Sequence, residues 1–228
     1  MNIALILAGG SGTRLGGDIP KQYVKVGGKM IISYCLAVFG IHPQIEAIQI
    51  VAHREWQEEI SRAMPHTVTE KFKGFSEPGE NRQLSIYNGL QDIVRYAAGK
   101  DVVIVHDAAR PLVSEAMLSA CIDACTAHDG VLPVLPMKDT VYLGDGRRIT
   151  SLLDRSAVYA GQAPEAFVLG KYYEANQRLL PDKILEINGS TEPAIMAGMD
   201  IAMIPGDESN FKITTKTDLE RFAQQICS

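Results

Sequence analysis

Two features of the 228-residue chain predict an α/β fold with a mostly parallel, Rossmann-like sheet flanked by helices. Runs rich in Val and Ile at residues 3–7, 47–52, 102–106 and 131–136 are apolar throughout instead of alternating. Strands buried on both faces of a parallel sheet read this way. Between them, residues 30–40, 56–63, 81–98 and 114–127 have helical period and supply the crossovers of repeated βαβ units.

Each later element has its own signal. Ser114 is a good N-cap, with Glu115 and the apolar Met117, Leu118, Cys121 and Ile122 behind it. Gly144-Asp145-Gly146 then breaks the rhythm as a hairpin turn between predicted strands at 140–143 and 147–152. Such an excursion from a compact sheet packs on something else. The chain returns through Ala163-Pro164-Glu165-Ala166-Phe167, a helix at 170–180 and a strand at 200–204. A closing helix is predicted at 217–226, with Thr217 as N-cap and Asp218 and Glu220 complementing the dipole of its first turn. No repeats, low-complexity tracts or linkers appear, so a single domain over 1–228 is expected.

Composition excludes several function classes. With 22 Lys+Arg against 27 Asp+Glu, a net charge of -5 supplies no general field for nucleic acid or an anionic membrane surface. Any phosphate must be gathered by a local site. No apolar run approaches the roughly 18 to 20 residues of a membrane span, and residues 1–7 lack the basic start and cleavage site of a signal peptide, so a cytoplasmic protein is expected. Cys35, Cys121, Cys125 and Cys227 show no zinc or disulfide framework and read as reduced structural thiols.

The most informative segment is Leu7-Ala8-Gly9-Gly10-Ser11-Gly12-Thr13-Arg14-Leu15-Gly16, directly after the first buried strand and followed by Pro20-Lys21-Gln22. Glycines at this point let backbone N–H groups turn toward an anion, which makes Ala8, Gly9, Gly10 and Gly12 a candidate phosphate cradle. A Walker loop would need Gly-Lys-Ser/Thr, and in a dinucleotide fingerprint the third glycine would arrive one residue earlier. Arg14 and Lys21 add two cations, which suits chemistry that builds charge on phosphorus. Two further segments carry chemistry. Gly79, Arg82 and Ser85 lie at a loop-to-helix junction where a pyrimidine edge could be hydrogen-bonded. Asp107, in His106-Asp107-Ala108-Ala109-Arg110, follows a buried strand and is a hard-oxygen candidate for Mg²⁺. His106 reads as structural, because a phosphate nucleophile is already anionic near neutral pH.

These segments, with Met137-Lys138-Asp139-Thr140 and Asn210-Phe211-Lys212-Ile213-Thr214-Thr215, resemble in five places and in order the polyol-phosphate cytidylyltransferases. That family activates 2-C-methyl-D-erythritol 4-phosphate or ribitol 5-phosphate with CTP. The resemblance implies the nucleotide-diphospho-sugar transferase type of nucleotidyltransferase fold. It implies catalytic Arg14, Lys21 and Lys212 around the triphosphate, and cytosine recognition by Gly79, Arg82 and Ser85. Asp107, Arg110, Thr140 and Arg155 would serve the acceptor. The hairpin at about 141–157 would be a dimerisation arm, carrying Arg155 to the other subunit of a homodimer. Departures lie on the acceptor side: Asp139-Thr140-Val141-Tyr142 lacks the usual lysine, Gln162-Ala163-Pro164-Glu165 stands where Gln-Thr-Pro-Gln is usual, and Asn188-Gly189 where Thr-Asp is usual. Trp56 and the missing lysine look like the ribitol branch, whereas Arg82-Gln83-Leu84-Ser85 looks like the methylerythritol branch, which is the preferred acceptor class. A non-catalytic nucleotide-binding module and a dinucleotide oxidoreductase are the rivals from other classes.

Overall fold

The computed structural model describes residues 1–10 and 19–227. The expectations for Gly12 and Arg14 therefore lie outside the described residues. The chain forms β1 (Asn2–Leu7), a small hairpin of β2 (Lys25–Val26) and β3 (Lys29–Met30), then α1 (Ile31–Ile41), β4 (Ala47–Val51), α2 (Arg54–Ala63), α3 (His66–Thr69) and β5 (Phe72–Ser76). It continues through α4 (Arg82–Ile93), β6 (Val102–Asp107), α5 (Glu115–Ala124) and β7 (Gly130–Pro136) to the projecting hairpin β8 (Tyr142–Gly144) and β9 (Ile149–Leu152). The remaining elements are β10 (Tyr159–Gly161), β11 (Glu165–Val168), α6 (Leu169–Gln177), α7 (Glu192–Met196), β12 (Ile201–Pro205) and α8 (Lys216–Cys227).

In the main sheet β1 is flanked by β4 and β6, with β5 beyond β4. On the other side β11 lies between β6 and β7, and β12 pairs with β7. The register places β10 and β11 end to end along one edge of β7, with Gly161 opposite Val134 and Ala166 opposite Val131. They form one interrupted antiparallel strand, while β12, β7, β6, β1, β4 and β5 all run the same way.

The continuous apolar runs are explained by burial on both faces. Ala4 and Ile6 of β1 join Leu36 and Phe39 of α1 and Leu118 of α5. Ile3 and Leu5 join Ile86 and Leu90 of α4 and Tyr172 of α6. Gly89 of α4 lets that helix close on the sheet, since a Cβ there would lie 2.4 Å from Leu5 Cδ1. The Ser114 hydroxyl caps α5 by accepting the Met117 N–H, as expected. Cys35, Cys121 and Cys125 are free and buried, and burial pushes their thiols up to about 12. Among the described residues no helix is long and apolar enough to cross a membrane.

Several boundaries differ from expectation. The helix predicted to reach residue 98 ends at Ile93, because the chain turns back toward β6 and the Asp101 carboxylate takes the Ala98 N–H. The closing helix starts at Lys216 and is capped by Thr215 instead of Thr217. Thr215 Oγ1 accepts the Asp218 N–H, and the Asp218 carboxylate accepts the Thr215 N–H, a reciprocal capping box. In the projecting hairpin the strands are shorter than predicted because the Asp145 carboxylate, not a partner strand, accepts the N–H groups of Arg147 and Arg148.

Candidate active site

β1 and β6 are neighbours with Leu7 opposite Asp107, and the strand order departs from them in opposite directions. The crevice beyond their carboxyl ends is where an open α/β sheet binds ligands. A cavity of about 500 Å³ occupies it. It brings together Gly9, Gly10, Lys21, Gly79, Arg82, Ser85, Asp107 and Lys212, eight residues singled out from sequence.

The glycine loop is held from below. Gln22 donates its side-chain amide to the carbonyl oxygens of Ala8 (2.5 Å) and Gly10 (2.7 Å), and the Tyr23 hydroxyl also donates to Ala8 O at 2.8 Å. The Tyr23 ring stacks on Trp56 with centroids 4.4 Å apart. These two buried anchors were not singled out from sequence; their signal was adjacency to Lys21 in the turn Lys21–Tyr23. Gly9 is required by close approach, since a Cβ there would lie 2.6 Å from the Pro78 ring.

Across the cavity, Asn81 caps α4 by accepting the Leu84 N–H at 2.7 Å. The Ser85 hydroxyl accepts the Gly79 N–H at 2.9 Å and donates to Asn81 O at 2.8 Å, so its proton shapes the loop. A Cβ on Gly79 would lie 2.5 Å from Leu84 Cγ and 2.8 Å from its carbonyl carbon. Gly79→Ala is therefore expected to move this loop and weaken nucleotide binding about tenfold, the scale of 1–3 kcal/mol of overpacking. Titration calorimetry with CTP checks this, and unchanged affinity would remove the loop from the binding surface.

The centre of the site is electrostatic. Arg82 Nε and its terminal nitrogen both lie 3.1 Å from Asp107 Oδ1. Lys212 Nζ is 3.0 Å and Arg110 Nε 3.7 Å from Oδ2. Arg110 is fixed from behind by donating to Asn210 O at 2.7 Å. Burial would raise the Asp107 carboxyl, but Arg82, Lys212 and Arg110 outweigh it and hold the group well below the usual carboxylate range. The carboxylate expected to hold Mg²⁺ is thus paired with cations, Oδ1 with Arg82 and Oδ2 with Lys212. Among the described residues no three His, Cys, Asp or Glu side chains converge on a metal position.

His106 is fully buried, with Nε2 3.0 Å from Arg110 O, and burial pushes its pKa down to about 4. It is neutral at pH 7, donating to that carbonyl. Between about pH 4 and 6.5 the unfolded chain binds this proton and the native chain does not. Its contribution to stability is therefore present above that window and lost as pH falls through it, by on the order of 3 kcal/mol. The difference between wild type and His106→Gln in urea unfolding from pH 4 to 7 is expected to show this slope; parallel curves would refute it.

Not every predicted residue reaches the cavity. Ala8 is buried beneath the loop, and Arg110 is half-buried beside Asp107, outside the cavity lining. Thr140 and Arg155 are exposed at the base of the projecting hairpin, where Arg155 donates to Lys138 O at 2.8 Å. Glu165, Ser190 and Thr191 form a buried floor under Arg82; of these the sequence pointed only to Glu165, as a departure from the family pattern.

Comparison with known proteins agrees with this geometry. The chain is 35% identical over 218 residues to the bifunctional enzyme IspD/IspF of Rhodospirillum rubrum, covering 96% of this chain and 55% of that protein. It spans about half the length of such bifunctional relatives. It is 32% identical to the 2-C-methyl-D-erythritol 4-phosphate cytidylyltransferase of Geotalea uraniireducens, covering 99% of this chain and 97% of that one. The crystal structure of the Francisella tularensis enzyme of the same name superposes with a TM-score of 0.83 at 27% identity, covering 98% of this chain and 99% of that one. Residues 2–227 match the family described as IspD, 2-C-methyl-D-erythritol 4-phosphate cytidylyltransferase. Fold, cavity and match together show that the chain belongs to the 2-C-methyl-D-erythritol 4-phosphate cytidylyltransferase family.

Proposed function

We propose that the chain transfers a cytidylyl group from CTP to 2-C-methyl-D-erythritol 4-phosphate, releasing pyrophosphate. The observation that carries this is the single cavity in which the anchored glycine loop, Lys21 and Lys212 face the Gly79–Ser85 junction. In the reaction an oxygen of the acceptor phosphate forms a bond to the α-phosphorus of CTP, and the bond from that phosphorus to the bridging oxygen breaks in line. No protein nucleophile is needed. Both reactants are anions, so the residues act by neutralising charge and aligning groups. The Gly9 and Gly10 amides with Arg14, Lys21 and Lys212 would hold the triphosphate, and the Gly79 loop the cytosine. Mg²⁺ belongs to this proposal as an ion carried on the triphosphate, since among the described residues no three His, Cys, Asp or Glu side chains cage it, and no step is assigned to it.

The acceptor side is proposed to be completed by a second subunit in a cytoplasmic homodimer. On the hairpin, Leu143, Ile149 and Leu152 are 51%, 69% and 63% exposed. Such apolar area on a projecting arm suits burial against a partner. Arg155 and Thr140 would then meet the partner's acceptor. Ribitol 5-phosphate is the second reading, favoured by Val141-Tyr142 in place of the usual lysine-bearing pattern. Pyrophosphate release with CTP and a panel of polyol phosphates decides: fastest turnover with methylerythritol phosphate supports the proposal, and preference for ribitol 5-phosphate transfers it. CTP binding without turnover on any acceptor overturns the catalytic reading.

A further inference from the structure

Glu165 opens β11, opposite Val105 of β6, and is 7% exposed. One carboxylate oxygen accepts the Ser190 hydroxyl in a very short bond, and the other accepts the Thr191 hydroxyl at 2.6 Å. Ser190 Oγ in turn accepts a terminal N–H of Arg82 at 2.7 Å, and another Arg82 nitrogen is 3.8 Å from Glu165 Oε1. The guanidinium therefore bridges carboxylates on two adjacent strands, Asp107 directly and Glu165 through Ser190. Burial raises the Glu165 carboxyl above the usual carboxylate range, and Arg82 with the two hydroxyls offsets that only in part. Burying a carboxylate is costly unless it is paired and hydrogen-bonded. Both Glu165 oxygens accept hydroxyls, and Arg82 is the cation paired with this cluster.

We propose that Glu165 is a positioning residue that, through Ser190, withholds Arg82 from the substrate phosphates and dedicates it to Asp107. Arg82 lines the cavity with its side chain about a third exposed. Its Nε and both terminal nitrogens are engaged by Asp107 and Ser190. Held this way, it orients Asp107 so that Oδ2 faces Lys212 and Arg110. Released, it would be one more cation for the triphosphate, giving tighter ground-state binding with a misaligned Asp107. The inference rests on the cytidylyltransferase reading of the cavity.

The test compares wild type, Glu165→Gln and Ser190→Ala. Calorimetry measures binding of CTP and of inorganic tripolyphosphate, steady-state assays give kcat with saturating CTP and acceptor, and thermal midpoints confirm folding. Both variants are expected to bind the two anions about twofold to fivefold more tightly, the scale of one partly exposed charge pair. Turnover is expected to fall about tenfold or more, the scale of a small misplacement in a reacting site. Ser190→Ala removes the relay without changing charge, so tightening there cannot come from a general loss of negative field. Unchanged or weaker anion binding in folded Ser190→Ala overturns the proposal. Wild type that binds CTP without turning over any acceptor overturns the functional reading alone, because the binding comparison still judges Glu165. Wild type that binds neither anion overturns both.

Discussion

Asp107→Ala is expected to lower stability by about 3 kcal/mol, because it removes the common partner of three cations. Breaking a buried ion pair from one side costs about 3–5 kcal/mol, since the remaining charge is left desolvated. The lower figure applies here. Arg82 and Lys212 side chains are 32% and 33% exposed and can turn to water, whereas Arg110 at 12% cannot. For a chain of this size that loss corresponds to roughly 6–12 °C in thermal midpoint. Because the cations hold the Asp107 carboxyl low, its contribution is present above the ordinary carboxylate pKa and lost only as pH falls below it in strong acid. Urea unfolding of the variant at pH 7 measures the effect. A loss below about 1 kcal/mol would mean that the cations are solvated in the native state and that Asp107 does not organise them.

Lys21→Ala is expected to lower kcat by about 10² or more, the scale of losing one preorganised group that stabilises transition-state charge. Preorganisation is the reason for so large an effect. Lys21 opens the turn whose next two residues, Gln22 and Tyr23, are pinned to the Ala8 carbonyl, so its backbone is fixed relative to the glycine loop. A cation held there needs no reorganisation as charge develops on the α-phosphate. The measurement is turnover with CTP and the best acceptor from the panel. Full retention of kcat would remove Lys21 from the chemistry and leave it a loop residue.

Legibility in the sequence followed the range of the forces involved. The strands β1, β4, β6 and β7 could be read because burial on both faces leaves a local mark, an unbroken apolar run. β5 escaped because Lys73 and Gly74 interrupt it and Phe72 and Phe75 are only partly buried at the sheet edge. The β11 segment carries no strand signal, since its opening residue is a buried glutamate whose partners come 25 and 26 residues later. In the site, glycines, Lys21, Asp107 and Lys212 were legible by type and placement. The floor of Glu165, Ser190 and Thr191 was not, because one buried acid without local periodicity looks like any surface acid. Helix ends were misjudged where a side chain competes for backbone N–H groups, as Asp218 does at Thr215 and Asp101 at Ala98.

The projecting hairpin leaves β7 at Pro136 and returns to β10 at Tyr159, directly opposite one another, with the Met137 N–H donating to Val158 O just beyond. Its two ends are thus already paired by the sheet, independently of what lies at its tip. Under the proposed function, assembly and acceptor contacts would sit on one segment whose base is closed independently of the strands that carry Asp107 and the glycine loop.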